Sequence, residues 1–299
     1  MPSDFHDIAH GGKELITTNQ SGEPFVTLRN PRFESEADIY LFGATVTRWK
    51  TRNSSNVLFL GSRSDLSGKK AIRGGIPVIF PQFGDGPLPA HGFARNRRWR
   101  VLKDQNPQAR DGDYFTSVTF ALSESDETLA LWPHRFELHY TVTLAETLTT
   151  EATVTNTGAT PFQFQFALHS YVQIAAIERV KISGLKDTEY IDKVLKMERF
   201  TEREDAISIS GETDRVFPSA PDQISVRCGG EQAELLIQKS GMSSAVVWNP
   251  WVEKSSRMGD LAPDDFKKFV CVETGQIEPN VTLMPGESWR GIQILASMA

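Results

Sequence analysis

Only two cysteines, Cys228 and Cys271, occur in 299 residues. They exclude a disulfide framework and have no spacing that suits a metal, which points to a reducing compartment. No run is long and apolar enough to cross a bilayer. The opening MPSDFHDIAHGGKELI lacks the basic start and apolar stretch of a secretory signal, and it is too acidic for an organelle transit peptide. A cytoplasmic protein with no membrane partner is the expectation. No GxxxxGK[ST] or GxGxxG phosphate cradle is present, so a nucleotide cofactor is not expected. Repeats, heptads, low-complexity tracts and Pro/Gly/Ser-rich linkers are also missing. The chain is therefore read as a single domain over 1–299, with 1–20 as a peripheral N-terminal segment. The net charge of −6 argues against nucleic acid as a partner; an anionic small molecule would need a local cluster of positive charge.

What is present is alternation with period two, the mark of strands with one buried face. In HRFELHYTVTL, Phe136, Leu138, Tyr140, Val142 and Leu144 share a face, and polar residues take the other. LTTEATVTNTG continues in the same style and ends in a turn signal. Further strands are predicted at 25–29, 38–49, 57–61, 114–122, 223–228, 233–239, 268–273 and 289–295. Helical signals are short: 123–132, with Ser123 as cap, and one or two turns at 263–268. Many strands without alternating long helices predict an all-β fold, a sandwich or barrel, with a few short helices.

PFQFQFALHSY (161–171) carries an ionisable ring inside such a run. Alternation places Phe162, Phe164, Phe166, Leu168 and Ser170 on one face. Gln163, Gln165, Ala167, His169 and Tyr171 fall on the other, which must be hydrated or meet a polar ligand. Ser170 points away from His169, which excludes the two as a nucleophile and base.

In KKFVCVETG (267–275), Phe269, Cys271 and Glu273 share a face. Glu273 is placed at the end of an apolar strand, where a raised pKa would suit a general base. AIRGGIPVIFPQFGDG (71–86) puts Arg73 before two glycines and two prolines, a loop that suits a planar anion such as phosphate. PAHGFARNRRWR (89–100) groups His91 and Arg95 around a glycine with three more arginines. An anion pocket is the better reading there than nucleic acid, given the acidic chain. Asp214 in GETDRVF (211–217) is placed in a turn, and VWNPWVEKSSRM (247–258) carries two tryptophans. HDIAH (6–10) lacks the glutamate and helical context of a zinc protease motif. His134 and His139, an odd number apart, face opposite ways on a strand, so no metal is expected.

Taken in order, IRGGIPVIFPQFG, HGFAR, TLALWPHRFEL, FALHSY, the TDRVF segment, VWNPW and FVCVETG make the chain resemble the hexose-6-phosphate mutarotases, or glucose-6-phosphate 1-epimerases. That family lies in the aldose 1-epimerase superfamily, and the resemblance runs from about residue 20 to 295. It implies a galactose-mutarotase-like β-supersandwich. It implies that His169 and Glu273 match the catalytic pair, and that Arg73, Arg95 and Asp214 match substrate-binding residues. His91 takes the place of a histidine that contacts sugar in related epimerases. Ala90 stands where several relatives have glutamine, and Gln82 is the candidate amide in its neighbourhood.

The activity so implied is anomer interchange of a hexose 6-phosphate by a monomer without cofactor or metal. Glu273 would remove the proton of the C1 hydroxyl and His169 would protonate the ring oxygen. Their ordinary pKa values, about 4.3 and 6.5, would leave one ionised and the other partly protonated. Asp214 would hold hydroxyls, and Arg73 with Arg95 the phosphate. Rival readings are an epimerase of free aldoses, a non-catalytic sugar-binding module, and a glycosidase using Asp214 and Glu273.

Overall fold

The computed structural model describes residues 15–102, 114–230 and 233–298; HDIAH and most of the predicted N-terminal segment lie outside them. Three antiparallel sheets are formed. Leu15–Thr18, Pro24–Asn30, Ser35–Tyr40 and Thr45–Lys50 make a four-stranded meander. A nine-stranded sheet contains Phe136–Leu144 and Leu148–Asn156, in which buried and half-buried residues alternate without a break. Ser288–Met298 lies in the same sheet, against Leu148–Asn156. The third sheet has eight strands. Across it run Glu198–Thr201, Glu189–Asp192, Thr213–Phe217, Ser244–Asn249, Phe269–Leu283, Phe162–Leu168 and Val78–Ile79. Tyr171–Gln173 pairs with Phe269–Leu283 as well.

The two large sheets bury their facing rows against each other, as a sandwich requires. Phe164 and Phe166 of the eight-stranded sheet meet Trp289 of the nine-stranded sheet, with ring centroids 5.7 and 5.1 Å apart. One core runs on from there through Leu138 and Val142 to Val26, Ile39 and Trp49 of the meander. Each such side chain, fully buried, contributes about 1.5–3 kcal/mol.

The eight-stranded sheet also buries its outer face. Ile79, Ala167, Tyr171, Val216, Val246, Trp248, Phe269 and Cys271 form a second apolar cluster there. Segments 73–95 and 251–268 contribute most of the other side chains gathered on that side, and the functional groups collect among them.

Several sequence expectations are corrected. Residues 38–49 form two strands, because the chain turns back between Tyr40 and Thr45. Residues 57–61 make isolated bridges at Leu58 and Leu60 rather than a strand. The first helix is Asp126–Leu131, capped by Ser125 and not Ser123; the Ser125 hydroxyl accepts from Thr128 N–H, and Thr128 reciprocates. The turn expected at 263–268 is present as a 3-10 turn, Asp265–Lys268, but a second, unexpected α-helix spans Trp251–Ser256. Asp214 lies on the strand Thr213–Phe217, not in a turn. Glu273 does not end a strand; Phe269–Leu283 runs on for fifteen residues in all.

Candidate active site

Strand register assembles the floor of the site. Asp214 pairs with Trp248, Trp248 with Cys271, and Cys271 with Tyr171. Residues directly opposite in a sheet point to the same side. These four therefore form a row across the outer face of the eight-stranded sheet. Glu273 lies two residues beyond Cys271 on the same face, beside Val246.

His169 follows the strand Phe162–Leu168, and its backbone N–H donates to Pro77 O at 3.0 Å. Its ring stacks on Tyr171, with centroids 4.8 Å apart, and meets Trp248 edge-on. The alternation that put His169 and Tyr171 on one side holds, but that side is not hydrated here: His169 is 5% exposed.

Nε2 of His169 stands 3.5 Å from Oε1 of Glu273. Burial pushes the Glu273 carboxyl well above its ordinary range, and the Asp214 carboxylate adds to the effect. Burial likewise drives His169 well below its ordinary value, helped by His91, Arg95 and Arg73. Both groups are therefore biased toward their uncharged forms. This corrects the expectation, built on ordinary values, of an ionised glutamate beside a partly protonated histidine. Oε2 of Glu273 and Nδ1 of His169 have no hydrogen-bond partner among the described residues.

The loop before Val78–Ile79 brings Arg73. Its Nε donates to Asp260 Oδ2 and its Nη1 to Tyr171 Oη, both at 3.0 Å. The two glycines that follow serve backbone packing rather than approach to a ligand. A Cβ on Gly75 would lie 2.0 Å from Val46 O, and one on Gly74 2.5 Å from Phe59 O; both residues have positive φ. Only glycine fits there without moving main chain.

His91 occupies the left-handed region at φ 65°. Its Nδ1 accepts the N–H of Gly84 at 3.3 Å, which leaves the proton on Nε2. Burial and the nearby cations Arg95, Lys193 and Arg73 lower its pKa to about 3. Its ring lies edge-on to His169, at 5.6 Å.

Arg95 is the last residue of this arc. One Nη2 donates to Ala90 O at 2.9 Å, but its buried Nε has no partner and no carboxylate pairs with it among the described residues. Arg97 and Arg98, further along the same basic run, pair instead with Glu127 and Glu23.

His169, Glu273, Arg73, His91 and Arg95 line a cavity of about 240 Å³. Arg73, Arg95, Lys193 and Lys254 supply four cations to it; Asp85, Asp214 and Glu273 supply three carboxyl groups. Asp214 is flanked by Lys193 at 3.6 Å and Lys254 at 3.9 Å, while burial raises its pKa. The structure thus brings together His169, Glu273, Arg73, Arg95, Asp214 and His91. It does not bring Gln82. That amide is buried and spent on its own loop, donating to Gly84 O and Leu88 O and accepting from Leu88 N–H.

Sequence reasoning missed Lys193, Lys254, Tyr171 and Asp260. Lys193 follows the strand Glu189–Asp192, and Lys254 sits on the helix Trp251–Ser256; neither has a local pattern that distinguishes it from a surface lysine. The two tryptophans of VWNPW separate by role. Trp248 lines the cavity, whereas Trp251 packs edge-on to Phe266. Among the described residues no group of three or more His, Cys, Asp or Glu side chains could hold a metal ion.

The sequence model of the family described as Aldose 1-epimerase matches residues 24–296. A protein of Cenchrus ciliaris named "Putative glucose-6-phosphate 1-epimerase" is 40% identical over 283 residues, covering 93% of this chain and 85% of its own. One of the same name from Escherichia coli K12 is 35% identical over 244 residues, covering 80% and 79%. Among solved structures, one titled "a putative mutarotase (YeaD)" from Salmonella typhimurium superimposes with a TM-score of 0.81 at 26% identity. That match covers 95% of this chain and 97% of the other.

Proposed function

Starting from a chain that belongs to the aldose 1-epimerase family, and is an isomerase of that type, we propose that it interconverts the α and β anomers of a hexose 6-phosphate. The observation that carries this reading is the buried His169–Glu273 pair, 3.5 Å apart, in a cavity lined by four cations.

Anomer interchange needs a proton taken from the C1 hydroxyl and another given to the ring oxygen. The C1–O5 bond breaks, C1 becomes an aldehyde, and rotation about C1–C2 lets the ring close on the other face. C1-OH and O5 are attached to one carbon, so the two catalytic groups must also be neighbours. Glu273 takes the hydroxyl proton and His169 delivers one to O5, each worth about 10²–10⁴-fold.

The charged pair, carboxylate with imidazolium, is the state before ring opening. The uncharged pair is the state after it. Both hold one proton between them, so closure restores the start and no net proton is exchanged with solvent. Burial favours the uncharged pair, so the charged pair that opens the ring is the less populated form beforehand, and ring opening discharges both groups.

Arg95 holds the phosphate, since its guanidinium has no carboxylate partner among the described residues. Arg73, steadied by Asp260 and Tyr171, adds a second guanidinium face. Asp214 accepts from sugar hydroxyls, and His91, neutral and with its proton on Nε2, donates to one. The relatives named for glucose 6-phosphate support the phosphosugar over a free sugar. NMR exchange spectroscopy of glucose 6-phosphate and of glucose tests the reading. Faster α–β exchange with the phosphosugar is expected; no acceleration of either sugar contradicts it.

A further inference from the structure

His169 and Glu273 meet where the sheet that carries them is interrupted. Residues 162–168 pair with the long strand Phe269–Leu283 as far as Leu168 opposite Thr274. Pairing resumes at Tyr171 opposite Cys271. Among the described residues, His169 and Ser170 have no register partners in between, and one backbone bond, Val272 N–H to Ser170 O at 3.2 Å, crosses the gap. A ladder that normally fixes the distance between neighbouring strands is thus thinned beside the two reacting groups.

A side chain from the opposite sheet lies under this gap. Gln293, on Ser288–Met298, belongs to the inward row with Gly291 and Leu295 and is fully buried. Its Oε1 accepts the hydroxyl of Ser170 at 3.2 Å and the hydroxyl of Thr274 at 2.9 Å. Ser170 is the neighbour of His169, and Thr274 the neighbour of Glu273. In extended chain, neighbours project to opposite sides. The amide therefore grips, from the core side, the two backbones whose next side chains enter the cavity on the other side.

We propose that Gln293 is a positioning residue, which sets the spacing of His169 and Glu273 by tying Ser170 and Thr274 to one oxygen. An aliphatic side chain would fill the same space without the cost of a buried amide whose Nε2 has no partner among the described residues. What it would not do is close the break in the ladder. The consequence is catalytic, since a misplacement of about 1 Å between reacting groups can cost about 10²-fold in rate.

The inference rests on the reading of His169 and Glu273 as the reacting pair, and the experiment separates the two. Anomer exchange of glucose 6-phosphate is measured for the wild type, His169→Ala, Gln293→Leu, Thr274→Val and the triple variant Ser170→Ala/Thr274→Val/Gln293→Leu. The triple variant removes both donors with the acceptor, so no hydroxyl is left unpaired and thermal stability is kept. Its kcat is expected to fall about 10- to 100-fold with KM unchanged. Thr274→Val, which keeps one tie, is expected to show a smaller fall in kcat alone. Wild-type kcat in the triple variant, a change confined to KM, or a loss of kcat that only tracks a loss of melting temperature overturns the proposal. Full activity in His169→Ala would instead overturn the reading of the site.

Discussion

The imidazole of His169 and the carboxyl of Glu273 stand 3.5 Å apart with side-chain exposures of 6% and 2%. Two ionisable groups so close hold their proton jointly, and burial pushes each toward its neutral form. This costs the folded protein stability in a way that depends on pH, and it gives the first prediction.

The Glu273 pKa is raised in the folded state, so the folded protein keeps this proton while the unfolded chain loses it. Stability from this group is complete below its ordinary value of 4.5 and is lost as pH rises from there toward the raised value. Glu273→Gln has no such loss. Its melting temperature relative to the wild type should climb as pH rises above about 4.5, as read by thermal unfolding at a series of pH values. A difference that stays flat or shrinks contradicts the buried, raised carboxyl.

Arg95→Ala should weaken use of the phosphosugar far more than use of free glucose. Loss of one charge-assisted contact, about 1.5–3 kcal/mol, corresponds to roughly a 10- to 150-fold fall in kcat/KM for glucose 6-phosphate. Kinetics with both sugars check this. An equal loss on both would remove the phosphate from Arg95.

His91, with a pKa of about 3, is uncharged across the working range, because burial and three nearby cations lower it. It therefore contributes no limb to the pH–rate profile above about pH 4. His91→Asn should lower the rate but leave the limbs where they are. A limb between pH 5 and 8 that disappears in the variant would show that His91 titrates there.

Much of the frame is legible by alternation, because a strand with one wet face writes its burial into every second residue. Phe136–Leu144 is the plainest instance. The site is harder, since both faces of its sheet are buried. His169 looks like a member of a hydrated row beside Gln163 and Gln165, yet residues from 73–95 and 251–268 gather over it and keep it dry. Such coverage is a tertiary fact with no local signature. Glu273 looks like a strand end, because the apolar run stops there, though the backbone ladder continues past Gly275. Asp214 looks like a turn residue from its glycine and threonine neighbours, and the sheet overrides that preference. Gln82 looks available as an amide, but its own loop consumes both its donors and its acceptor.

The central claim, that this buried pair takes one proton from the sugar and gives it another, is tested most directly by NMR exchange between the anomers of glucose 6-phosphate with His169→Ala and Glu273→Gln. Each variant should lose about 10²–10⁴-fold in exchange rate while remaining folded, as judged by its thermal transition. Exchange at the wild-type rate in either folded variant contradicts the role given to that residue.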